Sequence, residues 1–232
     1  LVEQEGNYAA AAALYKGIID SDPESIVPML ALARLAEKQG KTQEMLDWLE
    51  QARERAPRDI KPRVMLAEYY LRKQQTEKAD LLVKEAVKVG SQQPTLLALQ
   101  GRVLMADHRY NEALPILAEL VMRAPDSVFG RVLLGETYLK LGQTMDARKQ
   151  LELALEKQPN YMLALVLMVK VERQSGYFEQ ALKYARQIQN IQPDLSLGYE
   201  IAGDAWVAEK NYTEANIAYA QAWDLEPSSK LT

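Results

Sequence analysis

Apolar and small residues recur along the chain in blocks that repeat every 34 positions. With Ile26, Ile60, Pro94, Val128, Met162 and Ser196 as first residues, the front segment of each block is mostly apolar or small at positions 4, 7, 8 and 11, as at Leu134, Gly135 and Tyr138. That spacing marks one face of a helix. Position 15 is Gly6, Gly40, Gly142 or Gly176 in several blocks, and a left-handed residue there would end one helix so that the next folds back. A back segment of about fourteen residues follows and stops at a proline, which cannot continue a helix. These prolines, Pro23, Pro57, Pro125, Pro159, Pro193 and Pro227, keep the same spacing of 34, broken only at Ser91. Small residues keep it too, with Ala11, Ala79, Ala113, Ala147, Ala181 and Ala215 in one column and Ala52, Ala86, Ala154 and Ala222 in another.

The periodicity predicts an all-α chain of tandem helix-turn-helix units. Six ungapped units run over 26–59, 60–93, 94–127, 128–161, 162–195 and 196–229, after the back half of another in 1–25 and before the start of a further unit or tail in 230–232. Pro28, Pro62 and Pro94 fall at helix starts, where a missing N–H costs little, whereas Pro115 lies near the start of a back helix and is expected to kink it mildly. Gln100 and Glu172 stand where large apolar residues are expected, and Leu120 and Ile188 where a small one is, so those units are expected to pack less regularly. The junction Gly90-Ser91-Gln92-Gln93-Pro94 lacks its proline and is expected to be the softest inter-repeat contact, through either sequence drift or a working hinge.

The set Leu134-Gly135, Tyr138, Gly142, Ala147, Leu151, Ala154 and Pro159 resembles the tetratricopeptide repeat. The resemblance covers some 230 residues and implies a right-handed α-solenoid that binds protein partners in a concave groove lined by the front helices. At 100° per residue, positions 2, 5, 9, 12 and 13 share the front-helix face opposite the core positions. Apolar residues on that face are Val64, Leu71, Met105, Phe129, Val132, Leu139, Leu163, Val166, Leu197 and Val207. They either form a partner surface or pack against the neighbouring front helix.

Position 9 alternates in sign, reading Arg34, Glu68, Arg102, Glu136, Lys170 and Asp204. Stacked repeats would turn this column into a salt-bridge ladder, unless a ligand breaks in to take Arg102 or Lys170. The groove columns hold eight basic residues, Lys140 and Arg173 among them, against five acidic ones. A segment carrying apolar and acidic residues would suit such a surface. Chaperone-binding members of the family grip a carboxylate tail with Lys at position 5 and Asn at position 9. Neither occurs here, so that mode of recognition is not expected.

Composition narrows the chemistry. Twenty-eight Lys and Arg against 32 Asp and Glu leave a net charge of −4, which disfavours nucleic acid as a partner. With no Cys and one His, the chain has no thiol nucleophile and no Cys/His metal set. His108 occupies the turn position, where it tolerates a left-handed backbone. No apolar run of about 18 residues predicts a membrane span or direct insertion by this segment. No catalytic residue, metal or cofactor is expected, and the partner is expected to be a protein or peptide.

A narrower resemblance rests on Gly198-Tyr199 with Gly203-Asp204, after Ala185-Arg186-Gln187 and Gln192-Pro193. It is similar to the tetratricopeptide lipoproteins of bacterial exopolysaccharide and PEP-CTERM protein-sorting systems. That resemblance implies a periplasmic scaffold anchored to the outer membrane, a cytoplasmic protein being the alternative. The start at Leu1 and the absence of a polar capping helix beside Trp223 and Leu225 lead to the expectation of flanking repeats in a longer protein. An architectural spacer, or the regulatory part of a larger enzyme such as a glycosyltransferase, are the other readings.

Overall fold

The computed structural model describes residues 8–90 and 93–225. Gly6, Ser91, Gln92, Pro227, residues 1–5 and residues 230–232, all used in the sequence reading, lie outside the described residues. The described chain is all-α: thirteen helices and no strand. Back helices are α1 (Tyr8–Ser21), α3 (Thr42–Arg55), α5 (Thr76–Lys88), α7 (Tyr110–Arg123), α9 (Thr144–Lys157), α11 (Phe178–Ile191) and α13 (Tyr212–Leu225). Front helices are α2 (Val27–Lys38), α4 (Lys61–Arg72), α6 (Pro94–Ala106), α8 (Val128–Lys140), α10 (Met162–Gln174) and α12 (Leu197–Ala208). Every back helix starts 34 residues after the one before it. No described helix is long and apolar enough to cross a membrane.

The chain divides into two compact units, Leu1–His108 and Arg109–Thr232. In the first, α1 to α6 pack each on the next, and α4 also touches α6. Its core runs from Ile26 and Met29 through Leu49, Leu66 and Val83 to Leu99 and Val103. In the second, α7 to α13 pack in the same way, α8 touching α10 and α10 touching α12. Two cores fill it, one around Leu151 and Met168, the other around Leu165 and Ile188. The division falls at the α6–α7 turn rather than at the Gly90–Pro94 junction, since α5 packs on α6 within the first unit. Front helices that touch one another make the front-helix side of each stack its tighter side, so the exposed face of those helices lines the inside of each stack.

Sequence accounts for both kinds of turn. At position 15 all six residues take a positive φ: Gly40 (72°), Gln74 (57°), His108 (58°), Gly142 (76°), Gly176 (78°) and Lys210 (65°). The next N–H then reaches back to the helix, Lys41 to the Ala36 carbonyl at 2.9 Å and Tyr177 to that of Glu172 at 2.9 Å, which satisfies a carbonyl that the helix end would leave open. Gln74 and Lys210 bear a Cβ in a region that disfavours one. Gln74→Gly and Lys210→Gly are each expected to raise stability by about 0.5 to 1 kcal/mol, and Gly142→Ala to lower it by a similar amount. Urea midpoints of the three variants check this; a destabilised Lys210→Gly would contradict it.

Back helices end differently because proline disfavours the helical conformation for the residue before it. Ala56, Ala124, Gln158 and Gln192, each preceding a lattice proline, have ψ of 74°, 71°, 89° and 74°. Where the proline is missing, Val89 stays helical (ψ −8°) and Gly90 turns left-handed (φ 87°). Pro115 sits inside α7, which continues through it. The units with Leu120 and Ile188 do not lose packing: both side chains are 1% exposed. Facing Leu120, the next front helix carries a glycine: a Cβ on Gly130 would stand 3.2 Å from the Leu120 side chain. Gly198 makes room for Gln189 instead, whose Cγ a Cβ there would meet at 2.7 Å.

Candidate functional site

The residues read from the sequence as a groove lining separate into three groups. Val132 (0% exposed) and Leu139 (7%) belong to the core of the second unit, packed with Leu151 and Leu167. Their expected place on an open face is corrected: α8 turns these side chains inward, because it is packed against three helices, α7, α9 and α10, and has little open circumference. Val64, Leu71 and Val166 are half-buried against the cores, and Met105 and Leu197 are half-buried as well. Phe129, Leu163 and Val207 remain open, at 39%, 41% and 41%. Phe129 and Leu163 hold the same position on α8 and α10, two front helices that touch.

The charged column does not form the expected straight ladder. In the first unit, Arg102 Nη1 lies 4.0 Å from Glu68 Oε1, while Arg34 is exposed and Arg72 pairs with Glu37, one turn further along the face. In the second, Asp204 is met by Arg173 rather than Lys170: Nη1 of Arg173 donates to Oδ2 at 3.1 Å, and the Tyr219 hydroxyl donates to Oδ1 at 2.8 Å. Burial and that bond to Asp204 push the Tyr219 phenol above its ordinary pKa. The diagonal pairing follows from reach. The longer, forked arginine side chain, one turn nearer the helix end, spans to the next front helix. Lys140 and Lys170 are exposed and, among the described residues, form no ion pair; Glu136 is half-buried and forms none either.

Lys170, Arg173, Gln174 and Ala208 line a cleft of about 250 Å³ between α10 and α12. Nε of Arg173 is buried there without a hydrogen-bond partner. The second unit thus presents exposed aromatic and aliphatic side chains at the start of its front helices and uncompensated positive charge at their ends. Such a face can hold an apolar side chain and a carboxylate on one ligand.

The fold and this face define the class, an all-α helical-repeat protein whose exposed front helices are its most distinctive surface. The tetratricopeptide repeat family model matches residues 3–59 and 104–166, more than half of the chain, and the chain belongs to that family, whose arrays are protein-interaction scaffolds. Among solved structures, YrrB, described as a tetratricopeptide protein with an unusual peptide-binding site, is similar at 21% identity and a TM-score of 0.67, over 86% of this chain and 99% of its own. A tetratricopeptide repeat protein from Parabacteroides merdae is similar at 15% identity and a TM-score of 0.75, over 98% of this chain and 90% of its own. MamA from Desulfovibrio magneticus is similar at 19% identity and a TM-score of 0.65, over 74% and 97%. No curated protein sequence matches the chain.

One feature of the second unit gave no functional signal in the sequence beyond its misfit. Glu172, at a core position of α10, is 1% exposed and pairs with Arg148 of α9, Nη2 to Oε2 at 2.8 Å. Burial pushes its carboxyl above the ordinary 4.5, against the pull of Arg148.

Proposed function

We propose that this chain is a non-catalytic scaffold that grips an extended or helical segment of a partner protein along its front-helix face. The observation that carries the reading is that Phe129 and Leu163 are both left open at the same position of α8 and α10, front helices of the second unit that touch. They would anchor apolar side chains together with Leu197, while Lys140, Lys170 and Arg173 orient a carboxylate of the same segment. In the first unit, Met105 and Arg102 offer a smaller surface of the same kind. The peptide-binding site attributed to YrrB supports a peptide ligand. The repeat boundaries proposed for this array are those of the six 34-residue units from Ile26 to Ser229.

Phe129→Glu together with Leu163→Glu is expected to abolish partner capture in a pull-down while leaving the helical circular dichroism unchanged, since both side chains lie outside the core. Capture that survives the double change overturns the groove reading, and a wild-type chain that retains no specific protein favours an architectural spacer. The resemblance carried by Gly198-Tyr199 and Gly203-Asp204 supports a place in the envelope, within polysaccharide export. An antibody raised to this chain tests that reading by where its antigen fractionates; a soluble cytosolic antigen would remove it.

A further inference from the structure

The second unit holds a larger hollow that shares no residue with the proposed groove. It encloses about 540 Å³ where α10 ends and α11 begins, and its wall includes Arg148, Glu172, Tyr177, Phe178, Glu179 and Glu209. The single cation in that wall is already engaged. Arg148 pairs with Glu172 at 2.8 Å, and its guanidinium lies 5.0 Å from the centre of the Tyr177 ring. Glu179 and Glu209 are exposed and, among the described residues, form no ion pair.

The backbone contributes both signs: the C-terminal turn of α10 and the C-cap of α12 at Glu209 bring carbonyl ends to the hollow, and the N-terminus of α11 brings N–H groups, with Glu179 in its first turn. The side chains decide the balance: Arg148 is matched by Glu172, so Glu179 and Glu209 leave the hollow negative beside aromatic surface, with Tyr177 58% exposed in spite of its contact with Arg148. A guanidinium suits this combination better than an ammonium. Its fork can bridge two carboxylates, its plane stacks on an aromatic ring, and its stem is apolar.

We propose that this hollow receives an arginine side chain of a polypeptide partner, with Glu179 and Glu209 as its carboxylate ligands and Tyr177 and Phe178 against its stem. The test is an NMR titration of the 232-residue chain with the peptide acetyl-Gly-Arg-Gly-amide, with acetyl-Gly-Glu-Gly-amide as the counterpart. Saturable shifts confined to the amides around Gly176, Tyr177 and Gln180 are expected with the arginine peptide and none with the glutamate peptide. Glu179→Gln with Glu209→Gln is expected to weaken binding at least about tenfold, as for the loss of a charged hydrogen bond. Glu54→Gln with Glu156→Gln removes the same charge elsewhere and is expected to leave binding unchanged. No saturable shift, shifts from the glutamate peptide, or equal weakening in both pairs would overturn the proposal, the last by showing only general attraction to an acidic chain.

Discussion

Arg148→Ala is expected to destabilise the second unit by about 3 kcal/mol at neutral pH, and by progressively less as the solution is acidified. Glu172 is 1% exposed, and its partner contributes a 2.8 Å bond to Oε2. Removing the guanidinium leaves the carboxylate of Glu172, in the wall of the hollow, without the cation that pairs with it. The carboxyl can escape that penalty only by taking a proton, so acid shrinks the defect. Urea denaturation of wild type and variant across the acid range checks both parts. A loss of stability below about 1 kcal/mol at neutral pH, or one that does not vary with pH, would contradict the argument.

The wild-type chain should show a weaker form of the same dependence. Burial already holds the Glu172 carboxyl above 4.5, so the folded state binds this proton more tightly than the unfolded state does. Folding then takes up a proton in the window above the unfolded value, and stability falls as pH rises through the folded value. A glutamine keeps an oxygen for Arg148 and has no proton to lose. Glu172→Gln therefore removes this slope without opening the hollow.

Much of the fold was legible because a repeat writes the same steric requirement several times. The six residues at position 15 take one conformation although only three are glycine; the sequence marked the glycines and His108 there, and the structure adds Gln74 and Lys210 on the same period. The C-terminal caps of the back helices follow from the residue before proline, and the departure at Val89 and Gly90 follows from Ser91. The candidate face was harder to read, since a helical wheel assigns directions but not what occupies them. Val132 and Phe129 both lie off the pattern's core positions, yet one is 0% and the other 39% exposed, because α8 is flanked by α7, α9 and α10 and has little open circumference. The charge column fixed signs and not reach, which is why Asp204 is met by Arg173 instead of Lys170. Glu172 was visible as a misfit. Its partner was not, since Arg148 stands 24 residues away on another helix.

Compensation between repeats yields the other large effect. Leu120, 1% exposed, occupies a column that is alanine in most units, and Gly130 faces it. Leu120→Ala alone is expected to cost about 2 to 5 kcal/mol, through lost burial and a cavity that Gly130 cannot fill. Gly130→Ala alone sets two effects against each other. Helix propensity favours alanine by about 1 kcal/mol, while its Cβ would stand 3.2 Å from Cγ and Cδ2 of Leu120, which must shift. The double variant recreates the pair found one repeat later, Ala154 and Ala164, both 0% exposed in a filled core. Its new methyl enters the space that leucine vacated, so the double variant should be more stable than the two single losses sum to, by about 1 kcal/mol or more. A double-mutant cycle in urea measures that coupling directly. Additive losses would mean that α7 and α8 do not share this space, and that leucine is tolerated at this position because the backbone shifts rather than because glycine faces it.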